Sequence, residues 1–574
     1  MVKSIAKKKK RSVKKLSAAE RKARKYKADH KALVRSVLRS TGFNRYPKLA
    51  DKEFSIDETT KSDFDDIYVF ENLIVLVEYT TAKDVGGHLK PKKIVYDKIE
   101  ANPKGFVDIL RNLDGEFASD INKSYTPDEL HLKILYCSRK SYDSKYKLEV
   151  PNPVFLDYPE LRYFKLITDS IKRSALHEFL HFLGISHEQI GVNGQIGTST
   201  SNQAYPGSLL PEANSNFDPG FKVVSFYVDP EALLRRSYVL RKEGWRNAGN
   251  VYQRMISKGK IQAIRKHLKE NKRVFVNNII ATLPDDTQIV GTSGKTIDPK
   301  KIIKTTPAII QIPDRMNTVG LIDGQHRLYS YHSTKPEDIE ITKLRRKQNL
   351  LITGIIYPQG LSQPEREKFE ARLFLEINAN QTNAKSNLKQ AINLILKPFS
   401  DESIAKRILD ELGKTGALSG HVEKYWFDNN KLKTTSVVSY ALKPLVKTNG
   451  ADSLFALWDE PSKKDMVEKE DSTLLKKYVK FCVTEINLLL GAVESVIPKD
   501  QWTPDKNIQG RFITTTNINS ILICMRLLIE NDKIGDFSFY KKNLTDFSIK
   551  SLGDFHSSQY GRMAERIYTK YFSD

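Results

Sequence analysis

The chain has 574 residues, 40% of them hydrophobic and 10% aromatic, with 93 Lys and Arg against 69 Asp and Glu. That length and composition describe about three or four folded domains and exclude a disordered chain. The net charge of +24 points to polyanionic partners, and the longest aliphatic run, Leu73–Val77, is far short of the roughly 20 apolar residues a membrane span needs.

The charge is concentrated at the start. Residues 1–31 hold fourteen Lys or Arg against Glu20 and Asp29, so this segment alone supplies +12. We read it as a basic tail or helix expected to contact DNA, held near phosphate by counterion release; a merely solubilising tail is the alternative. No apolar segment follows to make a signal peptide, and Cys137, Cys482 and Cys524 have neither disulfide nor metal spacing. The expected compartment is a reducing cytoplasm, with no membrane association.

A helix pattern (Leu33, Val34, Val37, Leu38) leads to an irregular stretch and then to two strand-like runs, Ile67–Phe70 and Leu73–Thr80, turning through Glu71-Asn72. Asp63-Phe64-Asp65-Asp66 opens this hairpin and Glu78-Tyr79-Thr80 closes it. Carboxylates at these positions can converge on one Mg²⁺, so Asp65, Asp66 and Glu78 are the candidate metal ligands and catalytic groups. Adjacent strand residues point to opposite faces, so only one of the two aspartates can share a metal with Glu78. The pattern resembles the restriction-endonuclease-like, PD-(D/E)xK nucleases, in which an Asp and a Glu bind metal and a Lys supports the attacking water. Thr80 stands where that family has Lys. Lys83, Lys90 or Lys92 could stand in from the next segment, and Lys90 is carried forward as the candidate. A solvated acidic hairpin is the alternative.

After a strand candidate at His131–Cys137, a long helix is expected from Glu160 to Ile185, with Phe164, Ile167, Ile171, Ala175, Phe179 and Phe182 on its apolar face. Its end reads His177-Glu178-Phe179-Leu180-His181-Phe182-Leu183-Gly184-Ile185-Ser186-His187. This fits the H-E-x-x-H-x-x-G-x-x-H pattern of zinc metalloproteases letter for letter. On a continuous helix His177 and His181 fall opposite the Phe stripe, where solvated residues belong, and no methionine turn follows before Met255. Zinc proteolysis is therefore kept as the minor alternative. Residues 189–220, rich in Gly, Ser, Asn and Thr, are expected to be a flexible linker.

Beyond it, Val251-Tyr252-Gln253-Arg254 precedes a helix pattern at Lys260–Leu268 and a strand at Phe275–Ala281. Val290–Thr296 carries a Gly-Lys-Thr but has Ile289 where a phosphate-wrapping loop needs Gly, so a surface loop is expected. Residues 319–332 then read V-G-L-I-D-G-Q-H-R-L-Y-S-Y-H. An apolar strand passes through Asp323-Gly324 into a helix whose first turn carries Gln325, His326 and Arg327, an arrangement suited to an anion. A tight turn with solvated polar residues is the alternative. The D-G-Q-H-R pentapeptide, the Arg254 segment and Phe374-Leu375-Glu376-Ile377-Asn378-Ala379-Asn380-Gln381-Thr382 together resemble the DGQHR-domain family. That family includes the DndB-type proteins associated with DNA sulfur modification, and its order of elements is similar to ParB and sulfiredoxin-like folds.

This resemblance implies binding of ATP or another nucleotide by Arg254, Asp323, Gly324, Gln325, His326 and Arg327, with ATPase activity in a DNA-related role. The expected chain is thus α/β (α+β) and multidomain: a basic tail (1–31), a restriction-endonuclease-like domain (32–188), a linker (189–220), a ParB/sulfiredoxin-like DGQHR domain (221–395) and a helical C-terminal region (396–574). The expected partners are DNA and a nucleotide, with Mg²⁺ as cofactor and self-association left open. The favoured function couples nucleotide binding to metal-dependent DNA cleavage, in DNA modification or defence against foreign DNA. The rival is a non-catalytic DNA-binding regulator on a degenerate nuclease fold.

Overall fold

The computed structural model describes residues 17–122, 125–185, 189–191, 203–241, 245, 255–291, 293–334, 336–379, 386–425, 427–548, 555 and 558–573. The chain is mixed α/β with several sheets, and its contacts divide it into two units. One comprises residues 1–239 with 256–360, the other residues 240–255 with 361–574.

The first unit opens with helix α1 (Ala18–Thr41), started by a reciprocal cap between Ser17 and Glu20 and ended by Gly42 at φ 106°. Its buried residues, His30, Val34, Val37, Leu38 and Thr41, all lie in its second half. A five-stranded sheet follows: β1 (Asn44–Arg45), β2 (Asp66–Phe70), β3 (Leu73–Thr80), β4 (His131–Ser138) and β5 (Val154–Leu156), side by side in that order. β1, β2 and β3 pair antiparallel, whereas β3–β4 and β4–β5 pair parallel. A parallel step needs a crossover, and helix α2 (Gly86–Ala101) begins it. Burial of β2 on both faces, and of β3 through Glu78, explains why their sequences run continuously apolar instead of alternating.

The long helix expected over Glu160–Ile185 is broken. Helix α3 (Tyr158–Ile171) ends where Lys172 adopts φ 48°, ψ −126°, a short 3₁₀ turn follows, and α4 covers Leu176–Phe182. The break resets the helical phase while keeping the aromatic stripe together: Phe164 packs against both Phe179 and Phe182.

An eight-stranded sheet forms the rest of this unit. Its strands are β6 (Gln203–Leu209), β7 (Lys222–Val228), β8 (Ser237–Tyr238), β9 (Ile279–Leu283), β10 (Gln288–Val290), β11 (Thr306–Ile312), β12 (Val319–Asp323) and β13 (Leu350–Ile356). Their order is β8-β12-β9-β13-β7-β6-β11-β10. The segment expected to be a linker, 189–220, therefore contains a strand: β6 pairs with β7 and along its whole length with β11. Its Pro206 and Gly207 read as loop residues. Gly207 is there because a Cβ would collide with the carbonyl of Ser225 on the neighbouring strand. The strand expected at Phe275–Ala281 starts later, at Ile279. Helices α5 (Pro230–Arg236), α6 (Lys258–Asn271), α7 (Gln325–Tyr329) and α8 (Ile339–Lys347) belong to this sheet's connections. The Asn317 side chain, in the turn before β12, donates to the His177 carbonyl of α4 at 3.2 Å.

The second unit is helical. Ile404, Ile408 and Leu412 from Asp401–Leu412, Tyr478, Ile486 and Leu490 from Ser472–Val496, and Ile518, Leu522 and Met525 from Thr515–Glu530 share one core. The boundary expected near 395 falls instead at 360, so helix Gln363–Ala379 belongs to this helical unit. Among the described residues no helix is long and apolar enough to cross a membrane.

Candidate active site at the strand hairpin

The register of β2 and β3 sets the chemistry. Asp66 lies opposite Val77, so it shares a face with Tyr79 and not with Glu78. Its carboxylate is fully buried and saturated: it accepts from Arg35 Nε at 2.7 Å, from Tyr79 Oη at 2.7 Å and from Arg45 Nε. Two guanidinium groups and a phenol make Asp66 a structural pivot between α1, β1 and β3. The expectation that Asp66 serves as a metal ligand is overturned by this geometry.

Glu78 projects from the other face and is buried. Lys92 of α2 places Nζ 2.8 Å from Glu78 Oε1 and 3.1 Å from Asp63 Oδ1, and donates to the Asp63 carbonyl at 2.5 Å. Phe64 lies beneath the same ammonium, 5.5 Å from its ring centre. His88 completes the cluster, with Nε2 3.9 Å from Glu78 Oε2 and Nδ1 3.3 Å from Tyr136 Oη. Burial pushes the Glu78 carboxyl up to about 8, with Asp65 and Asp63 adding to the rise and Lys92 working against it. Burial also opposes the charge on Lys92, but Glu78 and Asp63 hold that ammonium above its ordinary value. Burial, then the Lys92 charge, lowers His88.

Asp65 stands at the mouth of the hairpin. Its Oδ2 accepts the Tyr79 N–H at 2.8 Å and its Oδ1 meets Lys31 Nζ of α1 at 2.6 Å. Lys90, the lysine carried forward from the sequence, points elsewhere: it pairs with Glu149 at 2.9 Å on the surface. Two positions along a helix turn by about 200°, so Lys90 and Lys92 cannot both face the hairpin. The structure corrects the candidate from Lys90 to Lys92. Lys31, Arg45 and His88 were not foreseen, although Lys31 and Arg35, one helical turn apart opposite two adjacent aspartates, were a readable signal. Among the described residues no three His, Cys, Asp or Glu side chains gather closely enough to hold a metal ion. Asp65, Asp66 and Glu78 therefore do not converge as a set of three.

In the His177 segment, the break at Lys172 turns His177 inward, where Nδ1 lies 2.9 Å from Met316 Sδ. Burial lowers its pKa to about 4. His177 is half-buried and His181 exposed, so the expectation that both are solvated holds in full only for His181. Glu178 is engaged by the Tyr163 hydroxyl, and His187 lies outside the described residues.

The D-G-Q-H-R turn has the strand–glycine–helix form expected from its residues. Gly324 takes φ 100°, and a Cβ there would come 2.8 Å from Ile279 Cγ1. Helix α7 spans only Gln325–Tyr329. Arg327 Nη2 donates to the Asn278 carbonyl and to Asp323, each at 2.8 Å, while its Nε is buried without a hydrogen-bond partner. His326 Nε2 accepts the Ser257 N–H at 3.0 Å, and Gln325 is buried. Arg254, Asn380, Gln381 and Thr382 lie outside the described residues. Around Gly291–Lys295 the chain closes on itself, with Gly291 N–H to Lys295 O at 2.7 Å, as a tight surface turn.

No family model, no curated protein and no solved structure matches this chain.

Proposed function

We propose that the chain is a DNA-associated phosphodiesterase of the restriction-endonuclease-like type, whose hairpin face of Asp65, Glu78 and Lys92 cleaves DNA with Mg²⁺. The observation that carries this reading is the buried Glu78–Lys92 pair beside Asp65, on an antiparallel hairpin followed by a parallel crossover strand. The order helix, three antiparallel strands, helix, parallel strand is that expected of such nucleases. The donor chemistry fits the ion: Mg²⁺ takes hard oxygen ligands and is held by one or two carboxylates together with substrate phosphate and water. When bound it would polarise the phosphate and lower the pKa of an attacking water. Asp65 and Glu78 would hold it. Lys92 supplies the positive charge that the absent strand lysine at Thr80 would otherwise bring, and it orients Glu78.

The D-G-Q-H-R turn supports a nucleotide-binding role in the same protein. Arg327 Nε is a buried donor of the kind a phosphate oxygen satisfies, and it sits in the first turn of the helix that follows Gly324. Coupling of nucleotide to cleavage is part of the proposal, in the setting of DNA modification or defence against foreign DNA. One observation favours the non-catalytic regulator: Asp65 and Glu78 are each already neutralised, by Lys31 and Lys92. Incubation of the full chain with plasmid DNA and Mg²⁺, with and without ATP, separates the two. Nicking that Glu78→Gln abolishes supports the nuclease; no nicking in any metal and nucleotide condition supports the regulator.

A further inference from the structure

Helix α1 differs along its length. Residues 17–29 are exposed without exception, and burial begins only at His30. The exposed half is nonetheless a defined helix, started by the Ser17–Glu20 cap. One side is anchored: Arg139 sits 5.2 Å over the Tyr26 ring and 4.0 Å over that of Tyr158.

At 100° per residue, Arg24, Lys27, Lys31 and Arg35 fall on one stripe about 80° wide, about 145° from Tyr26 at their mean. The inner two are spent on the hairpin, Lys31 on Asp65 at 2.6 Å and Arg35 on Asp66 at 2.7 Å. The outer two have no ion pair among the described residues. The stripe is therefore one line of four cations that starts at the carboxylates of the candidate site and runs outward. From Lys31 to Arg24 it covers about 10 Å of helix axis, the length of about three nucleotides of one DNA strand.

We propose that Arg24 and Lys27 form a phosphate rail that seats successive phosphates of a DNA strand leading into the Asp65–Glu78 face, with Lys31 as its innermost member. This rests on the nuclease reading for where the strand leads, but not for whether phosphate is bound. The rail predicts position, not merely charge. Lys22 and Lys25 are equally exposed on the same turns but lie about 100–160° around the helix from Arg24.

The test is a salt series of fluorescence-anisotropy titrations of a labelled 20-base-pair duplex with the full chain in Ca²⁺. It compares wild type, Arg24→Ala/Lys27→Ala and Lys22→Ala/Lys25→Ala. All four positions are solvent-exposed, so folding is unaffected, and both double variants remove the same charge. The rail variant is expected to flatten the slope of log affinity against log salt by about 1.8, two phosphate contacts at roughly 0.9 each, and the control by less than half of that. Equal losses in both variants would overturn the rail in favour of a diffuse basic arm, and no loss in either would overturn phosphate binding by α1. A parallel Mg²⁺ cleavage assay keeps the two readings apart. A rail-specific loss of slope in a protein that never cuts leaves the rail standing and removes the nuclease. A cutting wild type with an unaffected rail variant does the reverse.

Discussion

Glu78 is a carboxyl in surroundings that favour its neutral form, and that has a measurable consequence for stability. Its folded-state pKa, about 8, lies above the ordinary carboxylate value of 4.5. Between those values the folded chain binds more protons at this site than the unfolded chain does. The contribution of Glu78 is therefore fully present below about 4.5 and is lost as pH rises through about 8. In metal-free buffer the stability of wild type relative to Glu78→Gln is expected to fall between about pH 5 and pH 9, measured by urea unfolding. A difference that grows with pH would contradict the burial of this carboxyl. Arg327 offers a second residue-scale prediction. Two of its hydrogen bonds are made inside the fold, so Arg327→Ala is expected to cost about 1–3 kcal/mol of stability even without nucleotide. Unchanged thermal unfolding would show that the guanidinium serves ligand alone.

At the scale of elements, the break at Lys172 reorganises a helix that the apolar spacing had joined. Lys172 occupies backbone space that glycine adopts without strain, so Lys172→Gly is expected to stabilise the unit by about 1 kcal/mol, read as a higher urea midpoint at unchanged slope. Loss of stability would mean that the lysine side chain contributes more than the strain costs. The hairpin β2–β3 was legible because two buried apolar runs and a two-residue turn leave little else to form. The break was not, because every residue of the Phe stripe up to Phe179 keeps a buried place on either side of it and Phe182 still packs on Phe164. Strand β6 was illegible for the opposite reason. Its Pro206 and Gly207 carry loop signals, and only its neighbours in space, β7 and β11, explain why a glycine is needed there. The lysine of the site escaped on helical phase: Lys90 and Lys92 stand two apart in the sequence, and only the seating of α2 decides between them.

At the scale of the whole molecule, an asymmetric charge distribution meets one face of one sheet. Half of the net charge of +24 lies in residues 1–31, and the structure carries the described end of that segment, along α1, to Asp65 and Asp66. The D-G-Q-H-R turn belongs to the same unit but to the other sheet, so nucleotide binding and cleavage are expected to be separable by mutation. The most direct test of cleavage at the hairpin is Mg²⁺-dependent nicking of supercoiled plasmid by Lys92→Ala and Lys90→Ala, side by side with wild type. Lys92→Ala is expected to lose cleavage by a factor of about 100 or more while Lys90→Ala cuts as wild type does, since only Lys92 reaches Glu78. Cleavage that survives in Lys92→Ala, or that disappears in Lys90→Ala alone, would contradict cleavage at this site.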